Sequence, residues 1–258
     1  MAPDILSTRD GGIATVTLFN PDKLNALNAA MWRRLAEVFA ALDADETLRC
    51  VIVRGEGAAF AAGGDLDEMQ QLRATLEGAL AYHADVAHAL DAIASCRHPV
   101  IAQIIGPCIG GGLEIACACD LRIAGQSAKF GAPINKLGFS MYPGELAGLL
   151  RLVGPAVVKE ILLEGRLLNA QEAYEKGLLT RIVTDAELAD EARATAKRIA
   201  AGAPLVARWH KQWIARLQQD APLSAIELRS SFAFLDSADY AEGLAAFRAK
   251  RPPAFTGQ

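Results

Sequence analysis

Phe60-Ala61-Ala62-Gly63-Gly64-Asp65 and Gly110-Gly111-Gly112-Leu113-Glu114 are two glycine-rich turns, and the second runs straight into the apolar stretch Ile115 to Cys119. Each follows a short β-branched run, Cys50 to Arg54 before the first and Pro99 to Ile105 before the second. That pattern reads as strand, turn, helix, twice over. Glycine lets backbone approach a ligand closely and turn its N–H groups inward. A helix start adds free N–H donors and a positive dipole end. Two such turns facing one point would form a two-donor oxyanion hole, which stabilises charge developing on a carbonyl oxygen. Glu114 stands within one helical turn of the second, so its carboxylate can reach the same point.

The rest of the chain extends this frame. Ile5 to Arg9 and Ile13 to Phe19, joined by Asp10-Gly11-Gly12, read as a β-hairpin. Asn28 is placed to cap a helix whose face carries Met31, Leu35, Val38, Phe39 and Leu42. Asp65 can cap a short helix, and Thr75 to Ser95 continues in helical pattern. Leu113 to Cys119 reads as a helix, and Leu121 to Ala124 and Lys129 to Gly131 read as short strands. From Glu145 onward the pattern is helix after helix, with one strand at Arg181 to Val183. Helices are expected over Glu187 to Ala201, Leu205 to Gln219, Leu223 to Leu235 and Asp239 to Lys250. The expected organisation is an α/β core over residues 1–185 and a helical region over 186–258.

Bulk properties narrow the function. The chain has 258 residues, 52% of them hydrophobic, enough for one large or two modest domains with a full core. A net charge of −4 offers no electrostatic footprint for nucleic acid. No apolar run is long enough to span a bilayer. Met1-Ala2-Pro3-Asp4 lacks the basic-then-apolar pattern of a secretory signal, so a cytoplasmic location is expected. Cys50, Cys96, Cys108, Cys117 and Cys119 are odd in number, without a C-x-x-C pair, and read as small buried hydrophobes in a reducing compartment. No histidine pair has zinc-site spacing, no phosphate-binding glycine motif is complete, and no serine sits in a nucleophile elbow. No metal or redox cofactor is expected.

The chain resembles the crotonase family, also called the enoyl-CoA hydratase/isomerase family, through five segments in order. These are Asn25-Ala26-Leu27, the segment Phe60 to Leu66, the segment Gly110 to Glu114 with Cys119-Asp120-Leu121-Arg122-Ile123-Ala124, then Phe130-Gly131-Ala132-Pro133 with Leu137-Gly138, and the tail Gly243 to Phe247 with Lys250-Arg251-Pro252. The resemblance implies a crotonase-type spiral of ββα units, a C-terminal helical trimerisation region, and a homotrimer or a hexamer built as a dimer of trimers. It implies an acyl-CoA thioester as ligand, with Gly64 and Gly111 N–H as oxyanion donors. Glu114 aligns with the first catalytic glutamate of the hydratases. Lys23, Leu24, Ala26, Ala62, Asp65 and Leu66 take positions near the CoA moiety, and Phe247 and Lys250 those of tail residues that reach the CoA nucleotide of a neighbouring subunit. Tyr82 and His83 lie on a helix that borders the acyl pocket.

One departure matters. The family's second catalytic glutamate follows the proline of the Phe-Gly-x-Pro segment, and here Ile134 follows Pro133. Three replacements are open. Glu145 and Tyr142 lie in the pocket-lining loop, although Glu145 reads equally as a cap of the helix Leu146 to Leu152. Asp65 is the third, and reads first as a helix cap. The expected activity is hydration of a trans-2-enoyl-CoA. The alternatives are isomerisation, thioester hydrolysis, decarboxylation or carbon–carbon cleavage through the same enolate, or a non-catalytic acyl-CoA-binding or RNA-associated relative.

Overall fold

The computed structural model describes residues 2–258. Strands β1 (Asp4–Asp10) and β2 (Ile13–Phe19) form the hairpin that the glycine turn foretold, in antiparallel register with Asp10 opposite Ile13. Beyond it β3 (Cys50–Gly55), β4 (Val100–Ile104), β6 (Leu121–Gly125) and β9 (Arg181–Val183) add in parallel, giving a six-stranded sheet in the order β1-β2-β3-β4-β6-β9. A second sheet of three short strands, β5 (Pro107–Ile109), β7 (Lys129–Gly131) and β8 (Leu168–Asn169), stands beside it. Isolated bridges extend this second stack, pairing Leu27 with Gly64 and Ala61 with Cys108. The chain thus climbs through the large sheet and the small stack by turns, which is the crotonase spiral of ββα units.

Parallel strands are covered on both faces, and their residues alternate between two cores. Val51, Val53, Val100 and Ala102 face the larger one, shared with α1 (Ala29–Ala44), α3 (Leu76–Ser95) and α4 (Gly111–Ala118). Cys50, Ile52, Ile101 and Ile123 face the smaller one, filled by Leu188, Ala192 and Ala196 of α7 (Leu188–Ala200). The boundary expected at residue 185 falls in the loop before α7, and α7 itself packs on the sheet. Trp32, Leu35 and Phe39 of α1 are almost wholly buried. Each such side chain contributes about 1.5–3 kcal/mol of transfer free energy.

Local signals account for the helix starts. Asn28 Oδ1 accepts the Met31 N–H at 2.8 Å, Asp65 caps α2 (Leu66–Leu72), and Thr75 caps α3. The expected helix from Leu223 to Leu235 does not form as one piece. It is split into α9 (Ala225–Ser230) and a 3-10 turn at Ala233–Asp236. Ser224 and Glu227 make a capping box at its start, and the hydroxyls of Ser230 and Ser231 donate back to the carbonyls of Glu227 and Leu228, which disfavours continuation. α4 begins at Gly111, earlier than the expected Leu113. Strand β8 has two residues, too few for a period to show. The remaining helices are α5 (Pro143–Lys159, broken at Gly154), α6 (Ala170–Glu175), α8 (Pro204–Leu217) and α10 (Ala238–Ala249). No helix among the described residues is long and apolar enough to cross a membrane. The five cysteines are free, and all but the half-buried Cys117 are buried.

Asn25 ties the first turn of the spiral together. It is buried, at φ +59°, a conformation asparagine tolerates better than most residues. Its side chain accepts the Asn20 N–H at 3.0 Å and donates to the carbonyls of Glu56 at 2.9 Å and Ala59 at 2.8 Å. Asn25→Ala strands two buried backbone groups and one half-buried one and is expected to cost about 2–3 kcal/mol, seen as a lower urea midpoint at unchanged slope. A loss below about 1 kcal/mol would show that those groups find other partners.

Candidate active site

The two glycine turns meet. Leu27 N–H donates to the Gly63 carbonyl at 2.8 Å and Asp65 N–H to the Leu27 carbonyl at 2.8 Å. On the other side Ile109 N–H donates to the Ala61 carbonyl at 2.9 Å, and Gly110 N–H to the Gly131 carbonyl at 2.9 Å. Both turns are therefore held by backbone, and the approach is so close that side chains do not fit. Gly110 has φ +49° and ψ −116°, and a Cβ on Gly112 would lie 2.5 Å from the Ala61 carbonyl oxygen. The N–H of Gly64 is skipped by the Leu27 bridge. The N–H of Gly111 opens α4, where no intrahelical acceptor exists. Among the described residues neither donates to a protein acceptor.

Both glycines line a cavity of about 520 Å³. Its walls are mostly apolar, with Trp32, Met69, Val86, Ile134, Phe139 and Met141 prominent among them. Of the residues expected at the site, Lys23, Ala26, Ala62, Gly64, Asp65, Leu66, Gly111, Glu114 and Glu145 all line it. Leu24, Tyr142, Phe247 and Lys250 do not. Leu24 points away, 52% exposed, and serves through its carbonyl, which accepts the Ala62 N–H at 3.0 Å. Phe247, on α10, is 85% exposed and lies outside this cavity, as does Lys250.

Glu114 projects from the first turn of α4 and hydrogen-bonds to no protein group. Burial first, and the nearby Glu145 second, push its carboxyl well above the ordinary value. Ile134 is present as an apolar part of the wall. Glu145 lies in the first turn of α5 and is buried. Its side chain does not cap that helix. It instead accepts a hydrogen bond from His83 Nδ1 at 2.5 Å. The His83 ring stacks on Tyr142 at 4.7 Å between centroids and 15° between planes, and meets Tyr82 edge-on at 5.4 Å. Tyr142 thus acts behind His83 and does not touch the cavity.

Lys23 Nζ lies 2.7 Å from Asp65 Oδ2 and 3.6 Å from Asp67. The hydrogen bond to Lys23 is the chief reason the Asp65 carboxyl is held below its usual range. Asp65 also accepts the N–H groups of Asp67 and Glu68, so its cap and ion-pair roles occupy it. Several wall residues lie outside the site expected from sequence, Trp32 and Met69 among them. Trp32 carries the apolar pattern of a core helix face, and nothing in that pattern marks it as lining. Its Nε1–H is buried without a partner. Met69 lies one turn into α2 beside Gly64, where a Cβ would come within 2.5 Å of its sulfur. The pairing of His83 with Glu145 joins residues far apart in sequence, and no local signal could reveal it.

A family model described as enoyl-CoA hydratase/isomerase matches residues 8–258. The chain belongs to the enoyl-CoA hydratase/isomerase family. A probable enoyl-CoA hydratase of Mycobacterium tuberculosis (strain CDC 1551 / Oshkosh) is 37% identical over 254 residues, covering 98% of this chain and 97% of the relative. The 1,2-epoxyphenylacetyl-CoA isomerase of Escherichia coli K12 is 33% identical over 258 residues, covering 98% of each. Among solved structures, an enoyl-CoA hydratase/carnithine racemase from Magnetospirillum magneticum superposes with a TM-score of 0.97 at 55% identity, covering 98% of this chain and 96% of the other. The enoyl-CoA hydratase/isomerase fold is thus matched over its whole length, glycine turns included.

The raised Glu114 carboxyl has a consequence for stability. The folded protein holds this proton to higher pH than the unfolded chain does. Between the ordinary value of 4.5 and the raised one, the folded state binds more protons, so this group's contribution to stability falls as pH rises. Glu114→Gln removes the ionisation. The variant is expected to melt above wild type at pH 8, with the gap shrinking toward pH 4. An equal gap at both pH values would show that the carboxyl is not perturbed.

Proposed function

We propose that the protein is an acyl-CoA-processing enzyme that stabilises a thioester enolate, and that its reaction is hydration of a trans-2-enoyl-CoA. The observation that carries this reading is the pair of unpaired N–H groups, Gly64 and Gly111, opening on a cavity that also holds the Glu114 carboxyl. A thioester oxygen placed between two such donors gains most when it becomes an enolate oxygen, so the donors favour the transition state over the bound substrate. Polarisation draws electrons from the α,β double bond and leaves the β-carbon electrophilic. Glu114 is a base for the attacking water, and a raised carboxyl pKa suits that task near neutral pH. The CoA arm would pass Lys23, Ala26, Ala62 and Leu66 at the cavity's edge, and the apolar walls would take the acyl chain. Two backbone donors supply the polarisation, so the reading requires no metal or redox cofactor.

Hydration also needs a group that handles the α-carbon proton. Ile134 cannot, and the Glu145–His83 pair is a polar group of the cavity that could. Double-bond isomerisation is the second reading, favoured by the likeness to the Escherichia coli isomerase. We also propose that the chain assembles as a trimer, or as two trimers, through its helical end. Ile214, Ile226, Phe232 and Phe247 lie exposed on α8, α9 and α10 and the turn between them. A surface so apolar is of the kind that marks association. Phe247 and Lys250 would then meet a neighbour's CoA. The free buried thiols suit the cytoplasm.

Crotonyl-CoA should lose its conjugated absorbance in the presence of enzyme. Glu114→Gln should lower kcat by about 10²–10⁴-fold while acyl-CoA binding persists. Binding without hydration, but with double-bond migration on a 3-enoyl-CoA, would move the assignment to isomerase. Light scattering should return three or six times the chain mass, and a monomer would remove the assembly.

A further inference from the structure

Among the titratable side chains that line the cavity, Glu114 and His83 are built differently. Glu114 is a lone carboxyl without a protein partner. His83 is a braced imidazole. Glu145 takes its Nδ1–H at 2.5 Å, Tyr142 lies flat on one face, and Tyr82 meets its edge. A carboxylate on Nδ1 fixes the tautomer and leaves chemistry to Nε2. That atom has no protein partner, yet it is not sealed among the buried unpaired atoms, and the ring lines the cavity with Gly64, Gly111 and Glu114. Glu145 itself is spoken for by the histidine. Ile134, in the same wall lining, brings only hydrocarbon.

We propose that His83 is the catalytic residue that transfers the proton at the α-carbon of the bound thioester, and that Glu145 is the positioning residue that holds its ring. The proposal rests on the acyl-CoA reading above. In hydration, a water oxygen bonds to the β-carbon as its proton passes to Glu114. The π electrons of the double bond move to the thioester oxygen, held by Gly64 and Gly111 N–H. The carbonyl re-forms as the α-carbon takes the Nε2 proton of the His83 imidazolium. Neutral imidazole and protonated Glu114 remain, and one proton passing from the carboxyl to the imidazole through solvent restores both. The sum is addition of one water. With a saturated thioester only the α-carbon half can run, and neutral His83 would remove and return that proton alone.

That half-reaction is the test. Butyryl-CoA in D₂O should exchange its α-protons with wild-type enzyme, read by mass spectrometry. His83→Asn keeps an N–H for Glu145 but has no titratable ring, and should slow exchange by about 10²-fold or more. Glu114→Gln should lose crotonyl-CoA hydration by about 10²-fold or more, as the water-activating role requires. Glu145→Gln should lower kcat for exchange about tenfold with KM for butyryl-CoA unchanged, the split expected of a residue that aims the ring. His83→Gln serves in place of His83→Asn if the latter no longer binds butyryl-CoA. Exchange that survives both His83 variants within about threefold would overturn the assignment and leave the acyl-CoA reading intact. Wild-type enzyme that neither exchanges butyryl-CoA nor hydrates crotonyl-CoA would overturn that reading, and this one with it.

Discussion

Everything at the site depends on backbone stitching between two glycine turns. The Leu27 and Ile109 N–H groups donate to the carbonyls of Gly63 and Ala61, and the two turns lie one against the other between them. A parallel bridge consumes alternate backbone groups, so the pairing that anchors Gly63 and Asp65 to Leu27 necessarily passes over the Gly64 N–H. A helix start has the same property for a different reason, because its first N–H groups precede any intrahelical acceptor. Two ordinary rules of backbone pairing thereby leave two donors free on one side of the contact. Buried unpaired donors are costly. A ligand carbonyl that satisfies both relieves that cost, and an enolate oxygen relieves it further.

Close approach is what excludes side chains. At Gly112 the obstacle is the Ala61 carbonyl, part of the same stitching, so no neighbouring side chain could yield to make room. At Gly111 it is the Trp32 ring, which is itself packed in the α1 core. The two glycine turns and the hydrophobic core are thus one mechanical unit. The α1 helix that Asn28 caps presses Trp32 against the second turn, while Glu68 of α2 accepts the Ala29 N–H at 2.6 Å and ties the first turn's helix to the same base.

Much of this was legible in the chain because its signals are local. The glycine turns, the Asn28, Asp65 and Thr75 caps and the apolar face of α1 each depend on residues within a few positions of one another. Their convergence on one cavity needed only the strand order. Other features carried no such signal. The break between α9 and the turn at Ala233–Asp236 depends on side-chain hydrogen bonds competing with the helix. Tyr142 was placed in the right loop but on the wrong side of His83, because a stacked ring leaves no trace in spacing. Glu145 could be read as cap or as site residue with equal justice, and only its partner from α3 separates the two.

That partner also explains how the cavity tolerates two acidic side chains. Two carboxylates in one apolar enclosure oppose each other's ionisation, and Glu145 is indeed one of the two causes that raise Glu114. A second buried carboxylate with no counter-charge would simply hold its proton, and the site would have two weak acids where it needs distinct roles. Pairing Glu145 with an imidazole changes its environment without changing that of Glu114. The two carboxyl groups thus differ by environment, one paired with an imidazole and the other without a hydrogen-bond partner among the described residues.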